Sequence, residues 1–488
     1  MTTYEPVIGL EVHAQLRART KLFCGCSTEY GAPPNTQTCP VCLGLPGALP
    51  VPNRRAIELA VQAGLALGCK VASSSRFARK NYFYPDLSKG YQISQFELPL
   101  NGRGQLEIEV DGQIREIGIT RIHVEEDAAK NIHGSGHEAV TLVDFNRGGT
   151  PLIEIVSEPD LRSSAEAEAY LRKLRDILMF IGVNDGNLEE GSFRCDANVS
   201  IRPVGQEELG TRTELKNINS FRFVKNAIEH EIARHEAVLQ GGGKIVQETR
   251  GWNEAQSKTV PMRSKEEAHD YRYFPDPDLP PLVIEQAQID ALSAALPELP
   301  EAKRERWQKE LGLTEYDAGV LSGHPEVAQY FEKVASILSE RWGAKKAKDA
   351  GKKAGNFIQS ELLRYVATNG LDATFPVLAE PIADLLDLVE DGTINGKIAK
   401  KVFGSMVETG KAAKAIIDSE GLAQVTDTGA IEDAVRTVLQ ASPSQVAQYK
   451  GGKTGVIGYF VGQVMKATQG AANPKVVNET LRRLLEEE

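Results

Sequence analysis

The sequence of 488 residues lacks long hydrophobic runs, and no stretch approaches the length and apolarity of a membrane span. Its N-terminus has no basic region followed by an apolar core, so it does not show the pattern of a secretory signal peptide. Cysteine is scarce: six residues in a chain of this length are too few for a disulfide scaffold. These absences lead us to expect a soluble, cytoplasmic globular protein with no membrane partner.

Basic residues are outnumbered, and the formal net charge is −11. This balance argues against a protein that coats nucleic acid non-specifically, because such binding depends on neutralising many phosphates. Two local stretches, residues 341–353 and 450–483, each carry six basic residues against one acid. Each stretch fits either a local RNA contact or the solvated face of a helix.

Two common motifs for phosphate binding and nucleophilic catalysis are also missing. Residues 451–454 (Gly-Gly-Lys-Thr) resemble the end of a P-loop, but Ala447 stands where the motif requires glycine. Residues 241–244 (Gly-Gly-Gly-Lys) lack the serine or threonine that should follow the lysine. There is no Gly-x-Ser-x-Gly elbow, which argues against a serine hydrolase. Any ATP site must therefore have another design.

The pattern of apolar residues changes along the chain, which is too long for one hydrophobic core. Up to about residue 290, strand-like alternation is broken by Gly and Pro and interrupted by helical patterns near 54–67, 165–181 and 224–239. This part is typical of an α+β fold. After Pro297 the strand signals fade and apolar residues recur at helical spacing, which predicts a helical remainder.

The domain boundaries follow from breaks in this pattern. The Pro-rich residues 275–281, followed by Pro297 and Pro300, mark the first boundary, and a weaker one falls near Gly410. We therefore predict a mixed domain, an all-helical domain and a small helical tail domain, at residues 1–292, 293–410 and 411–488.

Two predicted strands have one fully polar face. In residues 8–16 the even-numbered positions are apolar, whereas the odd-numbered positions include Glu11 and His13. Residues 193–202 repeat the pattern, with Asp196 on the polar side. A polar face this complete lines water or a ligand.

Three further segments, 119–127, 143–158 and 212–219, place acids in strand-like contexts. Their polar residues include His123, Glu125, Glu126, Asp144, Arg147, Glu154, Glu214 and Lys216. Glu154 lies in an otherwise apolar run, so its carboxylate must be paired, bound to a cation or protonated. Each acid alone fits an edge-strand charge or a structural ion pair; together they favour a site.

A cluster of carboxylates, imidazole and arginine suits a hard divalent cation and a phosphorylated ligand. Mg²⁺ is held by few protein oxygens and by the phosphates themselves. Imidazole is an unusual ligand for Mg²⁺, so Zn²⁺ and Mn²⁺ also remain open for this cluster.

Four of the six cysteines form two close pairs. Cys24 and Cys26 are separated by one residue, and Cys39 and Cys42 follow with two residues between them. Two such pairs can fold into one tetrahedral thiolate site, which predicts structural Zn²⁺. Free thiols or a redox pair are the alternatives.

Longer motifs are more specific. They are residues 7–13 (VIGLEVH), 79–86 (RKNYFYPD), 91–95 (YQISQ), 125–127 (EED), 144–147 (DFNR), 151–160 (PLIEIVSEPD), 194–198 (RCDAN), 270–275 (DYRYFP) and 458–466 (GYFVGQVMK). With these runs the chain resembles, essentially from end to end, the GatB family, which comprises the B subunits of the aspartyl/glutamyl-tRNA(Asn/Gln) amidotransferase.

The resemblance implies a glutamine-synthetase-like cradle domain with a zinc-binding loop, a helical domain, and a tail domain that touches tRNA. The A subunit of such a complex is a glutaminase that releases ammonia from glutamine, and a small C subunit wraps between the other two. The B subunit uses ATP and Mg²⁺ to phosphorylate the side-chain carboxylate of misacylated Glu-tRNA(Gln) or Asp-tRNA(Asn), and ammonia then displaces the phosphate. The sequence leaves open which tRNA is the substrate.

The resemblance also implies which residues form the site. His13, Glu125 and Glu154 are the expected magnesium ligands, with Glu11 beside them and Asp196 as a further catalytic residue. Metal and arginine are needed because two anions, a carboxylate and a phosphate, must meet.

Four more residues are expected to bind substrate or ATP. Arg147 and Lys216 are candidates for positioning phosphate or substrate. Tyr82 and Arg272 lie in aromatic segments that could hold the terminal adenosine by stacking, although buried core aromatics fit the same pattern.

Two other functions compete with this interpretation. A zinc-stapled, non-catalytic scaffold could bind tRNA through its polar strand faces, and Glu154→Gln would then leave amidation by the complex intact. A metal-dependent hydrolase would use the same histidine and glutamates, and would turn over without ATP.

Overall fold

The structure, a computed structural model, describes residues 2–133, 140–262, 270–369, 375–423, 428–468 and 472–487. The chain forms two compact units, Met1–Pro300 and Glu301–Glu488. The first unit combines strands with helices, and the described part of the second is helical. The predicted α+β class is therefore confirmed.

Over its described residues, the first unit has a framework of one large sheet and three small ones. The strands are β1 (Tyr4–Gln15), β2 (Ser74–Ser75), β3 (Ala78–Asn81), β4 (Tyr91–Ser94), β5 (Gly104–Val110), β6 (Gln113–Glu126), β7 (Lys130–His133), β8 (Thr141–Asp144), β9 (Pro151–Ser157), β10 (Phe193–Pro203), β11 (Thr213–Lys216), β12 (Glu248–Asn253), β13 (Lys258–Pro261), β14 (Phe274–Pro275) and β15 (Leu282–Val283). The large sheet has the order β13-β12-β11-β10-β1-β9-β6-β5. Its neighbouring strands run antiparallel, apart from the parallel pair β11 and β12.

Helices of the first unit share one apolar core with the large sheet. They are α1 (Arg54–Ala66), α2 (Ser164–Phe180), α3 (Phe221–Gln240) and α4 (Gln286–Ala294). The first three begin at Asn53, Ser163 and Ser220, whose side chains each accept a hydrogen bond from an N–H in the first turn. These caps explain why the helices start where the sequence pattern predicts.

Apolar and polar side chains alternate along β1, so one face of the strand lies in the core and the other can line a site. Ile8, Leu10 and Val12 are fully buried in the shared core, whereas Glu11 and His13 on the opposite face are only partly buried. The predicted faces of this strand are confirmed. The helices pack on the apolar side, so the polar side of the sheet can line a site.

The Pro-rich passage near residue 275 is part of the first unit and not a linker. Strand β14 pairs with β3, and Leu279 is buried in the core. Arg79 Nε donates a hydrogen bond of 2.9 Å to Asp276. Helix α4 continues past residue 292, and the compact unit ends at Pro300. The three domain ranges stay predictions.

Twelve helices, counted over the part of the chain that the structure describes, follow from Pro300 onward. They are α5 (Pro300–Leu311), α6 (Glu315–Leu321), α7 (Pro325–Trp342), α8 (Ala347–Phe357), α9 (Leu363–Asn369), α10 (Ala379–Glu390), α11 (Gly396–Thr409), α12 (Ala413–Glu420), α13 (Thr428–Ala441), α14 (Pro443–Lys450), α15 (Ile457–Ala467) and α16 (Pro474–Glu487). A π-helical segment, Ile358–Leu362, joins α8 to α9. Helices α13, α15 and α16 enclose a small apolar cluster that includes Val435, Phe460 and Leu481. Among the described residues, no helix is both long and apolar enough to cross a lipid bilayer.

Candidate metal centre

Three neighbouring strands place the predicted metal ligands side by side on the polar face. His13 on β1 lies opposite Glu154 on β9, and Glu154 lies opposite His123 on β6. Glu125 is two residues further along β6 than His123, so it projects from the same face. The sheet register thus gathers side chains that are far apart in sequence.

His13, Glu125 and Glu154 each offer a ligand atom, and these atoms lie within 4.8 Å of one another. His13 Nε2 is 3.7 Å from Glu125 Oε1 and 3.5 Å from Glu154 Oε2. Two carboxylate oxygens and an imidazole nitrogen at this spacing fit a divalent cation. The donor set matches the predicted group, although it does not choose among Mg²⁺, Mn²⁺ and Zn²⁺.

Contacts within this cluster shift the pKa values of its two histidines and of Glu154. Burial disfavours the charged form of each side chain, but the contacts between imidazole and carboxylate outweigh it. Glu154 and Glu125 raise the pKa of His13, and the same two acids raise the pKa of His123 to about 9. The two histidines hold the pKa of Glu154 well below its ordinary value. Glu154 therefore meets the sequence expectation of a paired carboxylate in an apolar strand.

A second row of polar side chains lies beside the cluster. Glu11 is opposite Asp196, and Asn198 Nδ2 donates a 3.0 Å hydrogen bond to Glu11 Oε1. Burial, together with the charges of Glu154 and Glu214, raises the pKa of Glu11. The structure thus places both predicted acids, Glu11 and Asp196, next to the metal-ligand candidates.

Lys216 extends this row onto β11. Its Nζ lies 3.2 Å from Asp196 Oδ2 and 3.0 Å from Glu214 Oε1. The charges of these acids overcome burial and raise the pKa of Lys216. Lys216 is therefore a fixed positive charge on the polar face.

A cleft of about 590 Å³ opens on the same polar face. Glu11 and Asn198 are among its lining residues, together with Gly9, Ser157 and Arg212. This volume lies in the range of small-molecule sites. We call His13, Glu125 and Glu154 the metal-ligand row. Because Glu11 and His13 are two residues apart on β1, the cleft begins about 7 Å from this row.

Arg147 makes internal contacts. Its guanidinium donates hydrogen bonds of 2.8 and 2.9 Å to the carbonyls of Ala128 and Ala129. Nearby, the buried Asp127 accepts a 2.9 Å hydrogen bond from Arg194. Despite burial, Arg194 and Arg147 lower the pKa of Asp127. Arg147 thus fastens the turn before β9, and its predicted role in binding substrate stays a prediction.

Tyr82 and Arg272 lie at the small sheet formed by β14, β3 and β4: Tyr82 follows β3, and Arg272 precedes β14. The ring of Tyr82 meets that of Tyr271 edge to face at 5.7 Å, and Lys80 Nζ lies 4.8 Å above the Tyr271 ring. Burial, with the charges of Asp86 and Glu125, raises the pKa of Tyr82. Arg272 is exposed, and its carbonyl accepts a 2.8 Å hydrogen bond from Asn81.

The four clustered cysteines also converge, since the sulfurs of Cys24, Cys26, Cys39 and Cys42 lie within 4.8 Å of one another. A hydrogen bond from the Cys24 thiol, with the Cys39 amide and the charge of Lys21, overcomes burial and lowers the pKa of Cys42 to about 4. The lowered pKa of Cys42 favours its thiolate, which is the metal-binding form. The cluster can hold a metal ion.

Three residues that the structure brings to the site were assigned no role from the sequence: Lys80, Arg194, and His123, which was identified only as one of the polar residues of its strand. The signal for His123 was present, because it is two residues from Glu125 in the same strand and must share its face. Arg194 likewise shares a face with Asp196. For Lys80 there was no such signal, because its place beside Glu125 and Glu154 depends on how the small sheet packs.

Comparison with known families defines the class of the protein. A family profile described as the GatB/GatE catalytic domain matches residues 6–290, and one described as the GatB domain matches residues 342–485. The first match covers all five residues of the metal-ligand row and of the row beside it: His13, Glu125, Glu154, Glu11 and Asp196. The polar face thus lies in a catalytic domain of the GatB/GatE type.

Full-length relatives narrow this class. The chain is 56% identical over 485 residues to the B subunit of the aspartyl/glutamyl-tRNA(Asn/Gln) amidotransferase of Geobacter sulfurreducens, with 99% of each chain covered. Proteins of the same name from Syntrophotalea carbinolica (56% over 483 residues, 99% of this chain and 98% of the relative) and Carboxydothermus hydrogenoformans (52% over 486 residues, 99% of each) are also similar. The chain belongs to the family of these amidotransferase B subunits, as its motifs predicted.

Proposed function

We propose that this chain is the subunit that activates and amidates the side-chain carboxylate of misacylated Glu-tRNA(Gln), Asp-tRNA(Asn) or both. The observation that carries the proposal is the convergence of His13, Glu125 and Glu154 from three strands. Family membership supports the substrate class, because the relatives are named for these tRNAs. The partners would be the A subunit, which is the glutaminase, and the small C subunit.

In this proposal the metal-ligand row holds Mg²⁺, which would neutralise charge between the substrate carboxylate and the γ-phosphate of ATP. A carboxylate oxygen attacks the γ-phosphorus and ADP leaves. Ammonia then attacks the carbonyl carbon, inorganic phosphate leaves, and the nitrogen loses a proton. Phosphorylation is needed because a free carboxylate has no adequate leaving group.

The cleft beside the metal-ligand row is our candidate for the ATP site. Its polar lining offers Asn198 and Ser157 as hydrogen-bonding groups and Arg212 as a cation for phosphate. Glu11 lies between the cleft and the cluster, so a triphosphate in the cleft could reach the cation. Lys216, which is held by Asp196, supplies positive charge to the same face.

Zn²⁺ is the metal we propose for the cysteine cluster, as a structural ion with four thiolate ligands. The loop it closes is attached to the turn that carries Arg147: Asn35 N donates to Asp144 Oδ1 at 3.0 Å, and Gln37 N donates to Asn146 Oδ1 at 2.8 Å. The zinc loop would thereby fix one wall of the site.

The test is to combine the chain with the A and C subunits, ATP, Mg²⁺, glutamine and Glu-tRNA(Gln), and to follow ADP and Gln-tRNA(Gln). We expect ADP formation that depends on the charged tRNA. Glu154→Gln should lower the rate by at least 10²-fold, because it removes a carboxylate ligand from the cation. Repeating the assay with Asp-tRNA(Asn) decides between the two substrates.

Glu107→Gln is the matched control, since Glu107 is an exposed acid on β5 of the same sheet and should be dispensable. If Glu154→Gln amidates as fast as the wild-type chain, the scaffold interpretation is correct and the catalytic proposal fails. Turnover without ATP would instead identify a hydrolase.

A further inference from the structure

A second histidine contacts the same two carboxylates as His13 but from another direction. Strand β9 lies between β1 and β6, so His13 and His123 flank Glu154 on its two sides. His123 is 4% exposed and Nε2 is 3.2 Å from Glu154 Oε2. The same nitrogen is 3.6 Å from Glu125 Oε2, which is beyond hydrogen-bonding distance but close enough for electrostatic attraction.

The contacts of Glu125 show a division between its two oxygens. Oε1 is the atom nearest His13, at 3.7 Å. Oε2 accepts a 3.2 Å hydrogen bond from Ser94 Oγ and also faces His123. Ser94 and His123 therefore hold one oxygen of the carboxylate and turn the other toward the position where a cation would meet His13.

The other ring nitrogen of His123 indicates its hydrogen-bonding role. Arg121 Nε donates a 3.4 Å hydrogen bond to His123 Nδ1. This contact makes Nδ1 an acceptor, so the ring proton lies on Nε2, which faces Glu154. Nε2 is then the donor toward Glu154 Oε2, so both ring nitrogens of His123 are engaged by protein groups.

We infer that His123 is a positioning residue, which orients the carboxylates of Glu154 and Glu125 for a cation bound with His13 and is not itself a metal ligand. The inference rests on the proposed metal centre. Groups that hydrogen-bond to a ligand typically contribute 10- to 100-fold to metal affinity, because they fix its orientation.

The first test is Mn²⁺ binding to the full-length chain, measured by isothermal titration calorimetry. We expect His123→Ala to weaken binding 10- to 100-fold. His123→Gln should recover most of this loss, because its amide N–H can replace the Nε2 donor. Thermal melts of each variant show whether it is folded, and the Gln variant keeps the test valid if the Ala variant is not.

Electron spin echo spectroscopy of bound Mn²⁺ separates a ligand from a positioning residue, because it detects nitrogen bound directly to the ion. The nitrogen signal should persist in His123→Gln and disappear in His13→Ala. Persistence of the signal in His13→Ala, or its loss in His123→Gln, would make His123 a ligand and overturn the inference.

The matched control is His235→Ala. His235 is also a fully buried histidine, and its Nε2 is 3.0 Å from the carboxylate of Glu231, but it lies on α3. This variant should bind Mn²⁺ with unchanged affinity. Unchanged affinity in His123→Ala would defeat the positioning role alone, whereas a wild-type chain that binds no Mn²⁺ would defeat the metal centre as well.

Discussion

At the scale of single residues, the buried carboxylate of Glu231 shows how side chains hold the sheet to its helices. Glu231 on α3 accepts hydrogen bonds from Arg234 Nε at 2.9 Å and from Thr259 Oγ1 on β13 at 2.8 Å. His235 Nε2 lies 3.0 Å from the same carboxylate. Burial opposes the charge, but the hydrogen bonds from His235, Arg234 and Thr259 lower the pKa of Glu231 to about 2.

Glu231→Gln should therefore destabilise the protein in a pH-dependent way. A carboxyl group whose pKa falls from its ordinary 4.5 to about 2 on folding contributes stability that is fully present above pH 4.5 and is lost as the pH falls toward 2. At pH 7 we expect the free energy of unfolding of the first unit, which contains Glu231, to fall by roughly 3 kcal/mol. Urea unfolding followed by tryptophan fluorescence at pH 7, 4 and 3 measures it.

The difference between wild type and Glu231→Gln should shrink at each step toward low pH. Glu236→Gln, on the same helix but only partly buried, should behave like the wild-type chain throughout. A constant difference between pH 7 and pH 3 would show that the charge of Glu231 does not stabilise the fold.

Individual residues could be predicted where their own neighbours in sequence made them conspicuous. Glu154 stands out as an acid within an apolar strand, and His13 as the polar position of an alternating one. Glu231 gave no such signal, because the partner that explains it on β13, Thr259, is brought close only by tertiary packing. The same holds for Lys80.

At the scale of elements, the sequence predicts the alternation of side chains within each strand but not which strands pair with one another. Alternation within β1 and β10 needs only local sequence, since successive side chains must point to opposite faces. The order of the strands depends on contacts between distant segments, and so does the position of Glu154 between two histidines. Sequence patterns therefore predicted polar faces without predicting which residues share a row.

The cysteine loop offers a prediction at this scale. Cys42→Ser should lower bound zinc well below one ion per chain, because serine does not replace a thiolate ligand. Thermal unfolding should begin at a lower temperature, since the loop is fastened to the turn between β8 and β9. Atomic emission and calorimetry measure the two effects.

Cys69→Ala is the control for this experiment. Cys69 is a buried core cysteine outside the cluster, so its loss should leave the zinc content unchanged. Full zinc content in Cys42→Ser would exclude the four-thiolate site.

At the scale of the whole molecule, the two basic stretches differ in their surroundings. In residues 341–353, Arg341 pairs with Asp384 and Asp387, and Lys346 pairs with Glu390. These contacts with α10 fit a solvated, ion-paired helix face. In residues 450–483, of which 469–471 lie outside the described residues, Arg483 pairs with Glu432 on α13, whereas Lys450, Lys453 and Lys466 are exposed.

We expect the triple variant Lys450→Gln, Lys453→Gln, Lys466→Gln to raise the KM for tRNA while leaving Mn²⁺ affinity unchanged. Each lost phosphate contact should also reduce the salt dependence of log KM by about one. Steady-state assays of the reconstituted complex at several salt concentrations measure both quantities. Lys411→Gln with Lys414→Gln, two exposed lysines before and within α12, is the control. An identical KM and salt slope in the triple variant would remove the tail from tRNA recognition.

At this scale the sequence predicted the class of fold and the family, because long ordered motifs extend across the chain. The predicted resemblance to a glutamine-synthetase cradle and the three domain ranges stay predictions. The Pro-rich passage shows why boundaries are difficult: proline marks a break in regular structure, yet Arg79 and Asp276 tie this break into the first unit.

The central position of β1 has a consequence for biosynthesis. β1 ends at Gln15, but its two neighbours begin only at Pro151 and Phe193. The first strand to leave the ribosome must therefore wait, with both of its hydrogen-bonding edges unpaired, until most of the N-terminal half has been made. The metal-ligand row can form only after β1 has paired with β9. A nascent or truncated chain that lacks β9 should therefore be unable to bind the metal.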